Sequence, residues 1–126
     1  MKRPQIVMMT GALAAAATLF ACAGGGDTFG REVPDVASAT VAEVMARGPA
    51  ADGDRAVVEG KVAAVCPTGC WFDVADDAGT ILHVVVGGDF AVPQSLAGKH
   101  VRAEGTLRFV PDKGAVEMVA GGVKTL

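Results

Sequence analysis

Residues 66–70 read Cys-Pro-Thr-Gly-Cys and join two stretches whose apolar residues recur at every second position. In "RAVVEGKVAAVC", Val58, Val62 and Ala64 share one face while Glu59 and Lys61 share the other. In "WFDVADDAG", Phe72 and Val74 take the apolar phase before a turn at Asp76 to Gly79. A period of two marks a half-buried strand, so the segment is predicted as a β-hairpin. The loop chemistry agrees. Pro67 suits the first loop position, and Gly69 the left-handed residue that closes a three-residue loop with a bulge. Such a loop sets Cys66 opposite Cys70 with Cα atoms ~5.5 Å apart, within disulfide range, where an extended chain would hold them ~13 Å apart. Alternation turns both sulfurs to the apolar side of the sheet, unless the bulge shifts one strand by a residue. Trp71 and Val65 then fall on the opposite face beside Lys61 and Asp73, so Trp71 is either covered by another segment or a contact surface.

The same period continues. "TILHVVVGG" is a near-continuous apolar strand, and "HVRAEGTLRFV" alternates Val101, Ala103, Leu107 and Phe109 against His100, Arg102, Glu104, Thr106 and Arg108. "PDKG" turns into a last strand, "AVEMVAGGVKTL". "DFAVPQSLAGK", with Pro93 and Gly98, suits a loop with a helical turn. Ahead of the strands, "SATVAEVMARG" reads as a short amphipathic helix, with Ser38 or Thr40 as N-cap, Val41, Val44 and Met45 on one face and Gly48 as the stop. Five short strands, an element between the third and fourth, and strand glycines at Gly60, Gly105 and Gly121 predict a mainly β fold: a small five-stranded OB-like barrel. A sandwich normally needs seven strands or more.

The N-terminal residues speak of location. Lys2 and Arg3 precede an alanine-rich apolar run from Ile6 to Ala21 that is short for a bilayer span, as in an export signal. The run ends in "LFAC", which resembles the bacterial lipobox and implies cleavage before Cys22 and lipidation of its sulfur. The expected organisation is a signal peptide with its helix over 1–21, a lipidated Cys22 with a glycine-rich tether over 22–37, and the barrel domain over 38–126. Removing 21 of the 126 residues leaves 105, one small domain, and moves the net charge from −3 to −5. An acidic domain of this kind lacks the basic stripe that nucleic acid requires. The expected partners are the membrane, through the lipid, and a protein of the cell envelope. Ala23 after the lipidated cysteine points to the outer membrane under the common aspartate-retention rule.

Lipidation of Cys22 leaves Cys66 and Cys70 as an even pair, which in an oxidising compartment forms a disulfide or a metal or redox site. A bridge across so short a loop stabilises by roughly 2 kcal/mol in the entropy model. Two neighbouring thiolates also match a soft ion such as Cu(I) or Zn(II), with His83, His100 or Met118 as the available further ligands. A redox dithiol is the third reading, without the CxxC spacing and βαβ context of thioredoxin-like enzymes. Catalytic signatures are missing: no serine has a GxSxG setting, "GGGD" and "GGDF" lack a phosphate-loop context, and "DVADD" reads as a solvated turn rather than a calcium loop.

"VEGKVAAVCPTGCWFDV", "HVVV", "FAVPQSLAGKHVRAEGTL" and "VAGGV" together resemble a bacterial family of small exported domains of unknown function marked by a Gly-Cys-Trp motif, here Gly69, Cys70 and Trp71. The resemblance covers about residues 38 to 123 and implies an OB-like barrel, often lipid-anchored. Pro-Thr-Gly stands between the cysteines where relatives often carry polar residues, and Phe72 where a methionine is common. The expected function is that of a non-enzymatic, lipid-anchored binding or accessory domain with a Cys66–Cys70 bridge. The alternative is a soft-metal or thiol-redox accessory protein built on the same cysteines.

Overall fold

The computed structural model describes residues 26–126; the expected signal peptide and Cys22 lie outside the described residues. The strands among these residues are β1 (Thr28–Gly30), β2 (Ala39–Thr40), β3 (Arg55–Val65), β4 (Trp71–Ala75), β5 (Ile81–Val86), β6 (His100–Val110) and β7 (Ala115–Thr125), and an α-helix, α1 (Val41–Ala46), follows β2. β3 pairs with both β4 and β6, β4 with β5, and β7 with both β5 and β6, which closes a five-stranded barrel. Every barrel pairing is antiparallel except that of β5 with β7. A parallel pair needs a crossover, and residues 87–114 supply it through a short 3-10 turn at Gln94–Leu96 and the strand β6.

Alternation explains the interior. Phe72 lies opposite Val84, Val84 opposite Met118 and Met118 opposite Leu107, and all four are fully buried. Val41 and Val44 of α1 join the same core. Thr40 caps that helix through its side chain, and Glu43 returns the bond to the Thr40 amide, a capping box worth about 1 kcal/mol.

The stretch expected as a free tether behaves differently over its described part. β1 pairs with the end of β7, Thr28 opposite Lys124, and Val33 is buried. The glycines of "VAGG" explain why the segment can lie flat. A Cβ on Gly122 would stand 2.2 Å from the Arg31 carbonyl oxygen, and one on Gly121 would enter the Arg31 guanidinium. Arg31 and Arg55 both bond to Glu104, whose side chain is buried beneath them. Glu104 faces Gly122 and Gly105 faces Ala120, so Gly121 is an extra residue bulged from β7, while β6 keeps its expected alternation with Val101, Ala103 and Leu107 buried. Gly105 also has a packing role beyond bending, since a Cβ there would sit 2.1 Å from the Val119 carbonyl oxygen.

Candidate functional site

The cysteine loop is a turn pinned from outside. The Gly69 amide donates to the Cys66 carbonyl at 2.8 Å, and Gly69 adopts the left-handed φ of 76° expected of it. Val86 donates to the Cys70 carbonyl at 3.0 Å and Val92 to the Gly69 carbonyl at 3.2 Å, while the Gln94 side-chain amide bonds to the Cys66 carbonyl. A Cβ on Gly69 would lie 2.2 Å from the Val92 carbonyl oxygen, so only glycine permits this docking.

The register differs from expectation by one residue. β3 carries a bulge between Val62 and Ala64, after which Ala64 faces Asp73 and Val65 faces Phe72. Cys66 therefore pairs with Trp71, its amide donating to the Trp71 carbonyl at 2.9 Å, and the loop holds four residues rather than three. The two sulfurs consequently do not share the apolar side. Cys66 is buried at 7 % exposure yet stands apart from the core, and Cys70 is exposed. The bulge lets β3 follow the curvature of the barrel, and the shift of phase is its direct consequence.

Both thiols are free, and they interact. Hydrogen bonding from the Cys70 thiol is the main cause that pulls the Cys66 pKa from 9.0 down to about 6, with the Thr68 hydroxyl and amide adding to it. The Thr68 hydroxyl stands 3.4 Å from the Cys66 sulfur. A thiol stabilised in this way is largely thiolate at neutral pH, which favours both attack on a disulfide and capture of a soft cation.

Beside the loop, the outer face of the sheet carries a polar row. Asp73, His83 and Glu117 are in register on β4, β5 and β7. His83 Nδ1 lies 2.7 Å from Asp73, and the Trp71 ring stands over His83 with centroids 5.2 Å apart at a 44° tilt. Glu117 is buried, yet Lys113 at 2.6 Å holds its carboxyl below the usual range against the effect of burial, helped by Arg108 at 3.3 Å and by the charge of His83. Trp71 is only half-buried. An amphipathic ring over a charged row is a surface that can stack on a planar or apolar group while bonding to its polar edge.

The other ligand candidates are dispersed. Met118 is fully buried in the core row, and His100 is exposed at the start of β6, bordering a hollow of about 850 Å³ with Lys61, Asp76 and Asp77. His83 is committed to Asp73 and Trp71. Among the described residues no group of three or more His, Cys, Asp or Glu side chains is arranged to hold a metal ion. Cys66, Cys70 and Trp71 are thus brought together, His83 joins them through Trp71, and Met118 and His100 do not. Sequence reading missed Thr68, Gln94 and Glu117, and placed Asp73 beside Trp71 without its partner His83. Period-two counting from Trp71 reaches Asp73, and the Lys113–Glu117 spacing was visible; the loop contact of Gln94 had no local signal.

No family model and no curated protein matches the chain. Solved structures do. Asparaginyl-tRNA synthetase from Pyrococcus horikoshii aligns with a TM-score of 0.55 at 18% identity, over 71% of this chain but only 23% of that one. An OBody bound to hen egg-white lysozyme aligns with a TM-score of 0.56 at 22% identity, over 76% of this chain and 97% of the OBody. The hypothetical protein ygiW from E. coli aligns with a TM-score of 0.52 at 15% identity, over 77% and 98%. At these identities the likeness concerns architecture alone: the chain carries an OB-like five-stranded barrel.

Proposed function

We propose that this protein is an exported, lipid-anchored binding module of the bacterial cell envelope. Its contact surface is the outer face around Trp71, Asp73 and His83, fastened at one edge by a Cys66–Cys70 disulfide. The observation that carries this reading is the pinned turn that holds Cys66 and Cys70 in one loop, directly beside the tilted Trp71–His83 pair. OB barrels commonly bind through the corresponding strands and loops. The lipobox supplies the compartment, and an oxidising compartment supplies the bridge.

Oxidation follows from the asymmetry of the pair. Exposed Cys70 attacks the disulfide of an envelope oxidant, releasing one partner thiol and forming a mixed disulfide. The Cys66 thiolate then attacks the Cys70 sulfur and expels the second partner thiol. Two electrons and two protons pass to the oxidant, which leaves as a dithiol. The lipid part of the reading is tested by the intact mass of the chain recovered from the membrane fraction. The expected species lacks 21 residues and carries acyl chains on Cys22; a full-length, unacylated chain contradicts it.

A second reading rests on the lowered Cys66 pKa: the reduced pair holds a soft ion. With two thiolates and no third donor group assembled among the described residues, Cu(I) fits better than Zn(II), which takes four ligands. Native mass spectrometry of reduced protein with Cu(I) tests it. Equal uptake by a Cys66→Ser/Cys70→Ser variant contradicts it.

A further inference from the structure

Glu104 fixes a pair of cations on the outer surface of the barrel. Its carboxylate is buried, and each of its oxygens takes one guanidinium nitrogen: Arg31 Nη2 bonds to Oε1 at 3.2 Å, and Arg55 Nη2 bonds to Oε2. The two arginine side chains are otherwise open, at 64 % and 63 % exposure. A guanidinium carries more N–H donors than one carboxylate oxygen can use. The remaining donors of both groups therefore face water, while Glu104 holds the two planes in place. Two guanidiniums positioned in this way are preorganised for a second oxyanion.

Both arginines line a hollow of about 530 Å³, together with Thr106, Asp89 and Phe90. Phe90 is half-buried because Gly30 gives it a bed: a Cβ there would stand 2.7 Å from its ring. The charges of Arg31, Arg55, Glu104 and Asp89 cancel. A polyphosphate or nucleic-acid backbone needs a surplus of positive charge, and this hollow has none. A single carboxylate is recognised by the fork of a guanidinium rather than by net field, and it fits.

The hollow continues into the Trp71 face. Arg55 faces Thr106, Thr106 faces Val119, Val119 faces Val85 and Val85 faces Trp71, one residue from each barrel strand. Arg55 and Thr106 are exposed and the other three half-buried, so the row lies on the outer face. Four strand spacings make it ~19 Å long, the span of about six extended residues. Its middle, Val119 and Val85, offers apolar contact, which suits the side chains of a peptide better than the hydroxyls of a sugar chain.

We infer that Arg31 and Arg55 take the C-terminal carboxylate of a peptide that lies across this row and sets an apolar or aromatic side chain against Trp71. The inference rests on the proposed contact surface at Trp71 and names the class of its ligand.

Trp71 is the one tryptophan of the chain, so its fluorescence reads the binding of a tryptophan-free peptide. The probe is acetyl-Phe-Ser-Val-Ser-Val-Ala with a free C-terminal carboxylate, titrated beside the same peptide ending in an amide. The free acid should bind the natural chain at least about tenfold more tightly than the amide. Arg31→Lys/Arg55→Lys, which keeps both charges and loses both forks, should remove that advantage, and Trp71→Ala should weaken both peptides alike. Equal affinity of acid and amide for the natural chain overturns the carboxylate site, and this comparison needs no variant. If Trp71→Ala still weakens both, the Trp71 surface stands without it. Undiminished binding of both peptides to Trp71→Ala contradicts that surface itself. Binding of neither peptide, or tighter binding of an oligogalacturonate than of the free acid, overturns the peptide assignment.

Discussion

Cys66 pairs with Trp71, amide to carbonyl at 2.9 Å, so the cysteine that follows β3 is tied to the residue that opens the aromatic face. The bond makes loop and face one unit. Whatever moves Cys66 moves the main chain of Trp71, and Trp71 covers His83.

Gly69→Ala tests the pinning of the loop. The new methyl group meets the Val92 carbonyl oxygen at 2.2 Å, and the backbone stays at a φ of 76° that alanine resists. Chemical denaturation of the reduced protein should show a loss of about 2 kcal/mol. Cys66 should become more reactive toward alkylating agents as its turn opens.

The thiolate of Cys66 makes the reduced protein pH-sensitive. Its folded pKa, about 6, lies below the ordinary 9.0, so the folded state binds fewer protons than the unfolded one in between. The stabilisation from this group is complete above pH 9 and is lost as pH falls through 6. Thiolate absorbance in the ultraviolet should therefore show an inflection near 6. Cys70→Ala, which removes the largest cause, should move that inflection upward.

Much of this was legible in the chain and some was not. Alternation around "CPTGC" located β3, β4 and their turn, because side-chain phase and turn residues are local properties. The bulge after Val62 was not legible, since its cause is barrel closure rather than any residue nearby. It alone moved Cys66 from opposite Cys70 to opposite Trp71. The Arg31 contacts were hidden for a similar reason: "DTFGREVPD" has no period, and only the bare backbone at Gly121 and Gly122 gives it a bed.

The Glu104 cluster should show an asymmetry. Arg31 and Arg55 are more than half exposed, so either can return to water, whereas Glu104 cannot. Arg31→Ala with Arg55→Ala leaves a buried carboxylate unpaired and should cost about 3 kcal/mol. Glu104→Ala leaves two solvated guanidiniums and should cost about 1–2 kcal/mol. Thermal or urea unfolding of the variants reads the difference.

Two strand glycines should differ in the same way. Gly105→Ala drives a methyl group into the Val119 and Ala120 backbone, at 2.1 and 2.7 Å, and should cost about 3 kcal/mol. Gly121→Ala first meets the exposed guanidinium end of Arg31, a long side chain that can swing aside, and should cost less than about 1 kcal/mol. Equal losses would mean that the Arg31 side chain is as fixed as the barrel wall.

The state of the two sulfurs decides the larger question. Cells of the native host are quenched in acid, free thiols are alkylated under denaturing conditions, and the intact mass of the purified chain is recorded. A chain two hydrogens lighter than the dithiol form, with Cys66 and Cys70 unalkylated until a reductant is added, is the expected outcome. Alkyl groups on both Cys66 and Cys70 without reductant would contradict the bridge that fastens the Trp71 face.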